Sequence, residues 1–211
     1  MAQEKHETHR FRAMLFLMTA GCLLLPGAAA ADMVKLTESC QVCHGPDGVS
    51  RWPDIPNISG LPEIVIANAL YDFRGRARPC RKAACGPAGT CPDVEMCELS
   101  TGLSDEEIDL YARYYASQAF SPSVAEIDPA LASAGEALHE QYCERCHTSG
   151  GSDPLDEASI LRGQNREYLR NAMEDFRARR RVDEAPMTSA FEKIDDAGLE
   201  ALLHYYATPT H

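Results

Sequence analysis

Cys40, Cys43 and His44 fall within five residues, C-Q-V-C-H, and Cys143, Cys146 and His147 repeat the arrangement as C-E-R-C-H. Two thiols three residues apart lie on one side of a helical turn, where both can form thioethers to the two vinyl groups of one haem. The adjacent imidazole is then placed to ligate the iron, and C-x-x-C-H is the attachment signature of c-type haem. A dithiol redox pair needs no histidine and usually sits in a βαβ context, which this chain lacks; half of a zinc site is the other competing reading. Two matches inside a repeat favour two covalently bound haem c groups.

The offset of 103 residues between these segments also carries Gly60 to Gly163, Asn68-Ala69 to Asn171-Ala172 and Asp72-Phe73-Arg74 to Asp175-Phe176-Arg177. Further on the offset becomes 91, pairing Met96 with Met187, Leu103 with Ile194 and Tyr114-Tyr115-Ala116 with Tyr205-Tyr206-Ala207. The chain is therefore two copies of one unit. Met96 and Met187, at matched places, are the candidates for the second axial ligand, since thioether sulfur binds haem iron and raises its potential. His139 and His204 are competing ligands, expected to be ordinary core or surface residues. A His and a Met on opposite faces leave iron no open position, so electron transfer is expected, with no catalytic residue in this chain. An enzyme acting at haem would need an exchangeable ligand. Each axial imidazole also needs an acceptor for its other ring proton, and the backbone around Pro56 and its counterpart Ser159 offers a carbonyl.

These groups must be positioned by helices. "LPEIVIANALYDFRGR" and "NREYLRNAMEDFRARR" carry apolar residues at three-and-four spacing, and Ser104 followed by Glu107 forms a capping box before "IDLYARYYA". No convincing strand run is present. The expected fold is all-α, with a first domain over 32–120, a linker over 121–130 and a second domain over 131–211. The four tyrosines Tyr114, Tyr115, Tyr205 and Tyr206 read as packing around the haems.

Residues 1–31 read as a cleaved secretory signal: a polar, basic start, the apolar run "AMLFLMTAGCLLLPG", then small residues before Asp32. This implies a periplasmic chain, with membrane attachment only if the signal stays uncleaved. Without that segment the chain has 17 basic and 30 acidic residues. Such an excess disfavours nucleic acid and favours basic partner surfaces.

The first copy is 12 residues longer than the second between its Phe and its Met, and this insertion, about 75–97, holds Cys80, Cys85, Cys91 and Cys97. In an oxidising compartment two disulfides are expected, with three pairings open. A thiolate site for a soft ion such as copper(I) is the alternative. Arg74, Arg76 and Arg78, paralleled by Arg177, Arg179, Arg180 and Arg181, read either as haem-propionate or docking residues or as solvated helix ends.

The two C-x-x-C-H segments, the following glycines, the "DFR" helices and the methionines before "LSDEEI" and its counterpart resemble the two-domain, diheme class I cytochromes c over the whole chain after residue 31. Within that group, "DPALASAGEALHEQYCERCHTSGG" and "ILRGQNREYLRNAMEDFRARRR" are similar to the cytochrome subunit of flavocytochrome c sulfide dehydrogenase. The resemblance implies a heterodimer with an FAD-containing sulfide dehydrogenase subunit, the FAD residing in that partner. Electrons would pass through the two haems to a soluble cytochrome c or similar acceptor. It also implies Cys40, Cys43, His44 and Met96 at the first haem and Cys143, Cys146, His147 and Met187 at the second. The four inserted cysteines depart from that family's pattern. The alternative function is a free-standing diheme carrier feeding a terminal oxidase.

Overall fold

The computed structural model describes residues 37–83, 94–181 and 185–208. The signal segment, Cys85 and Cys91 lie outside the described residues. Four helices build the first half: α1 (Glu38–His44), α2 (Glu63–Arg74), α3 (Met96–Thr101) and α4 (Asp105–Ala116). Four longer ones build the second, α5 (Pro129–Tyr142), α6 (Arg166–Arg177), α7 (Ala185–Phe191) and α8 (Asp196–Tyr206), with a single helical turn at Thr148–Gly151 after the second C-x-x-C-H segment. Among the described residues the β structure is one isolated bridge, Lys82 with Glu95, so the all-α expectation holds.

Local chemistry sets the helix starts. At α4 the capping box is formed: Glu107 N donates to Ser104 Oγ (3.2 Å) and Ser104 N to Glu107 Oε2 (2.8 Å). At α5, Asp128 accepts from the Ala130 and Leu131 amides while Pro129 occupies the first turn, so α5 begins inside the segment read as linker.

Each half has its own core. In the first, α4 packs on α2 through Ile66, Ala67, Ile108, Ala112 and Tyr115, joined by Leu61 and, from the second half, Ile160. In the second, α8 packs on α5 and α6, burying Leu169, Phe176, Leu199, Leu202, Leu203 and Tyr206. A fully buried side chain such as Ile108 or Leu202 contributes about 1.5–3 kcal/mol. The α5–α8 crossing depends on Gly135, where a Cβ would stand 2.1 Å from Ala201 O. Matched ion pairs tie the helices: Arg74 to Asp105 (2.6 Å) and Arg177 to Asp196 (2.7 Å).

The halves meet through a polar seam. Asn57 N donates to Gln164 Oε1 and Gln164 Nε2 donates back to Asn57 O, both at 2.8 Å. Asn165 Nδ2 donates to Trp52 O (3.0 Å) and Ile55 O (2.6 Å), and Tyr168 N donates to Pro53 O (2.9 Å). Arg78 reaches Tyr168 Oη (2.8 Å) and Arg81 pairs with buried Asp175. Residues from both copies are thereby fixed around the first half's cavity.

Candidate haem-binding sites

Helix α1 carries Cys40 and Cys43, and closes on His44, which is buried. His44 Nδ1 lies 2.9 Å from Pro56 O. A carbonyl can only accept, so the ring proton sits on Nδ1 and the lone pair on Nε2, the tautomer an axial ligand requires. Burial holds the imidazole below its ordinary pKa, against the opposing pull of the Pro56 bond, so the ring is neutral. The acceptor is itself fixed, because Ile58 N (2.8 Å) and Ser59 N (3.2 Å) both donate to Gly48 O, and Ser50 N donates to Asn57 Oδ1 (2.8 Å). Burial also raises the Cys40 and Cys43 thiols, which keeps them protonated near neutral pH.

Cys40, Cys43, His44 and Met96 all line one cavity. Its wall is otherwise largely apolar, with Ile55, Leu61, Ile66, Phe73 and Leu99. Ser100 Oγ, buried on the same wall, has no hydrogen-bond partner among the described residues. Two thiols, an imidazole with its lone pair available and a thioether around an apolar space fit a covalently attached haem. Part of the wall comes from the second half: Ser159 and, on α6, Tyr168, Asn171, Ala172 and Asp175.

The second constellation repeats the backbone of the first. His147 is buried with Nδ1 3.0 Å from Ser159 O, while Leu161 N (2.8 Å) and Arg162 N (3.0 Å) donate to Gly151 O as Ile58 and Ser59 do to Gly48 O. Gly60 and Gly163, both at positive φ, donate to Tyr115 O (2.8 Å) and Tyr206 O (2.7 Å). A side chain at either position would strain the turn. Cys143 is half-buried and Cys146 exposed. Met187, in α7, packs against the second core.

The competing histidines are otherwise engaged. His139 is fully buried, with Nδ1 2.8 Å from Tyr206 Oη and Nε2 2.5 Å from Glu144 Oε2. Desolvation alone would raise Glu144, but the His139 bond and the Gly150 and Ser149 amides outweigh it and hold the carboxyl below its ordinary range. His204 accepts from Asp128 N through Nδ1 (2.9 Å), tying α8 to the cap of α5.

Cys80 and Cys97 form a disulfide. This withdraws two of the four thiolates on which a copper site would draw, and no group of three or more potential metal ligands occurs among the described residues. The arginine clusters divide: Arg74 and Arg177 pair across helices, Arg180 bonds Asp175 (2.7 Å), Arg78 and Arg181 lie over the Phe73 and Phe176 rings, and Arg76 and Arg179 are exposed just past the helix ends. The residues missed from sequence are those of the seam. A signal existed, since Gln164-Asn165 replaces Leu61-Pro62 in the aligned repeat.

Two helical units, each closing a C-x-x-C-H segment beside a hydrophobic core of its own, define a two-domain class I cytochrome c, an electron-transfer protein. No protein-family model matches the chain. Cytochrome c4 of Stutzerimonas stutzeri is 30% identical over 205 residues, covering 91% of this chain and 94% of that one. The chain belongs to the cytochrome c4 family. The crystal structure of reduced recombinant cytochrome c4 from Pseudomonas stutzeri superposes with a TM-score of 0.68 at 30% identity, covering 86% of this chain and 98% of that one. A thiosulfate dehydrogenase structure from Marichromatium purpuratum also superposes, with a TM-score of 0.62 at 25% identity over 80% of this chain and 36% of that one. These relatives support the wider diheme class; the narrower flavocytochrome subunit and its FAD partner do not follow from them.

Proposed function

We propose that the chain is a diheme electron carrier of the periplasm, taking electrons from a dehydrogenase and delivering them to an acceptor such as a terminal oxidase. The observation that carries this reading is the repeated pairing of a C-x-x-C-H imidazole with a fixed carbonyl, His44 with Pro56 O and His147 with Ser159 O. Cys40 and Cys43 would anchor one haem c, with His44 and Met96 as axial donors. Cys143, Cys146, His147 and Met187 would serve the other. A bound haem c supplies a one-electron iron couple. The carbonyls orient the imidazoles, the apolar wall excludes water, and the seam keeps the two units in one arrangement. With a His and a Met of the protein both holding each iron, substrate chemistry there would not be expected.

A second reading concerns the donor. The likeness to part of a thiosulfate dehydrogenase favours a sulfur-compound dehydrogenase as the partner, of which the FAD-containing sulfide dehydrogenase is one form. The test is to express the chain with c-type maturation in a periplasm. Mass spectrometry should show two added haems and loss of residues 1–31, and membranes bearing a terminal oxidase should oxidise the reduced protein. Failure of rapid oxidation, with rapid reduction by sulfide plus a flavoprotein, would favour the second reading. An exchangeable ligand that admits cyanide or peroxide in the resting protein would overturn both.

A further inference from the structure

The aligned copies differ in how the short helix bearing the methionine is held. In the second half α7 is anchored by Phe191, buried and stacked on Phe176 with ring centroids 6.1 Å apart. In α3 the matched position is Ser100, so the aromatic anchor is lost. Among α3 residues only Cys97 and Ser100 are buried, the helix has six residues, and Glu95 provides no side-chain cap. A helix this short has little stability of its own. Cys97, 1% exposed, stands where the second half has Thr188, and its disulfide to Cys80 spans 17 positions with Cα atoms 5.6 Å apart. Closing that loop covalently limits the freedom α3 would have on leaving its place.

The other end of the disulfide is tied to the second half. Cys80 lies between Arg78, bonded to Tyr168 Oη, and Arg81, paired with Asp175, and both partners sit on α6. Cys97 adjoins Met96, which lines the first cavity. We infer that the Cys80–Cys97 disulfide is a positioning element of the first haem site. It substitutes for the missing aromatic anchor, holds Met96 on the cavity wall, and joins that placement to the contact between the halves. The inference rests on the reading of Met96 as an axial donor.

The test uses the matured diheme chain with Cys80→Ala and Cys97→Ala together. The expected results are loss of the first site's share of the long-wavelength absorption that marks thioether coordination of ferric iron, a lowered potential for one haem only, and amide exchange in α3 at least about tenfold faster. The second site's signals should stay as they are. Retention of both thioether signals with wild-type exchange in α3 would overturn the inference. If that variant does not mature, the disulfide is instead reduced with a phosphine and alkylated in mature Cys85→Ser, Cys91→Ser protein, and the iron is reoxidised before the same readings. Met96→Leu separates the two ideas. If Met96→Leu keeps the full thioether absorption, the ligand reading is wrong and the inference falls with it. If Met96→Leu loses it and the disulfide variant does not, the inference alone is wrong.

Discussion

Ser159 lies in the wall of the first cavity, and its carbonyl oxygen is 3.0 Å from His147 Nδ1 in the second site. One residue thus borders one candidate haem while orienting the imidazole of the other. Because the acceptor is main chain, Ser159→Ala should preserve the second site's absorption spectrum and change stability by no more than about 0.5 kcal/mol. A perturbed second-site spectrum would show that the hydroxyl, and not the carbonyl, sets the ring.

Gln164 bonds both backbone polar groups of Asn57, and Asn57 is 1% exposed. Gln164→Ala would leave a buried N–H and a buried C=O without their partner, at a cost of about 2–3 kcal/mol. Denaturant titration should show that loss, and exchange of the Asn57 amide should rise with it.

Gly135 allows α5 and α8 to touch. The atom that a Cβ would meet first is the backbone oxygen of Ala201, at 2.1 Å, which cannot rotate away. Gly135→Ala should therefore destabilise the second half by about 1–3 kcal/mol despite alanine's better helix propensity. Urea unfolding followed by far-ultraviolet circular dichroism checks this; an unchanged midpoint would mean that the helices separate freely.

Glu200 is held below the ordinary carboxylate pKa, first by the Arg170 hydrogen bond and also by Arg166, against desolvation. A lowered folded-state pKa contributes stability that is present above the unfolded value and lost as pH falls through the folded one. Glu200→Gln should accordingly be less stable than wild type at neutral pH, by about 1 kcal/mol or less because the cluster is partly solvent-screened. The gap should close in acid, and added salt should narrow it. A gap independent of pH would point to lost packing and not to charge.

Much of the site was legible in the chain. The paired thiols and imidazoles of the candidate sites, the repeat-matched methionines, the Ser104 cap and the placement of acceptor carbonyls near Pro56 and Ser159 all depend on short-range spacing or on comparison of two copies. Such features are written locally, because a helical turn or a capping box involves residues a few positions apart. What the tertiary structure alone decided is long-range. Three pairings of the inserted cysteines were equal on paper, and Cys80 met Cys97 because folding of α3 beside the end of the insertion brings those two Cα atoms within bridging distance. Gln164 and Asn165 are polar residues without periodicity, and their role exists only where two separate surfaces desolvate each other's amides. The same reason hid the contribution of α6 to the first cavity: a wall shared between repeats belongs to neither repeat's sequence pattern.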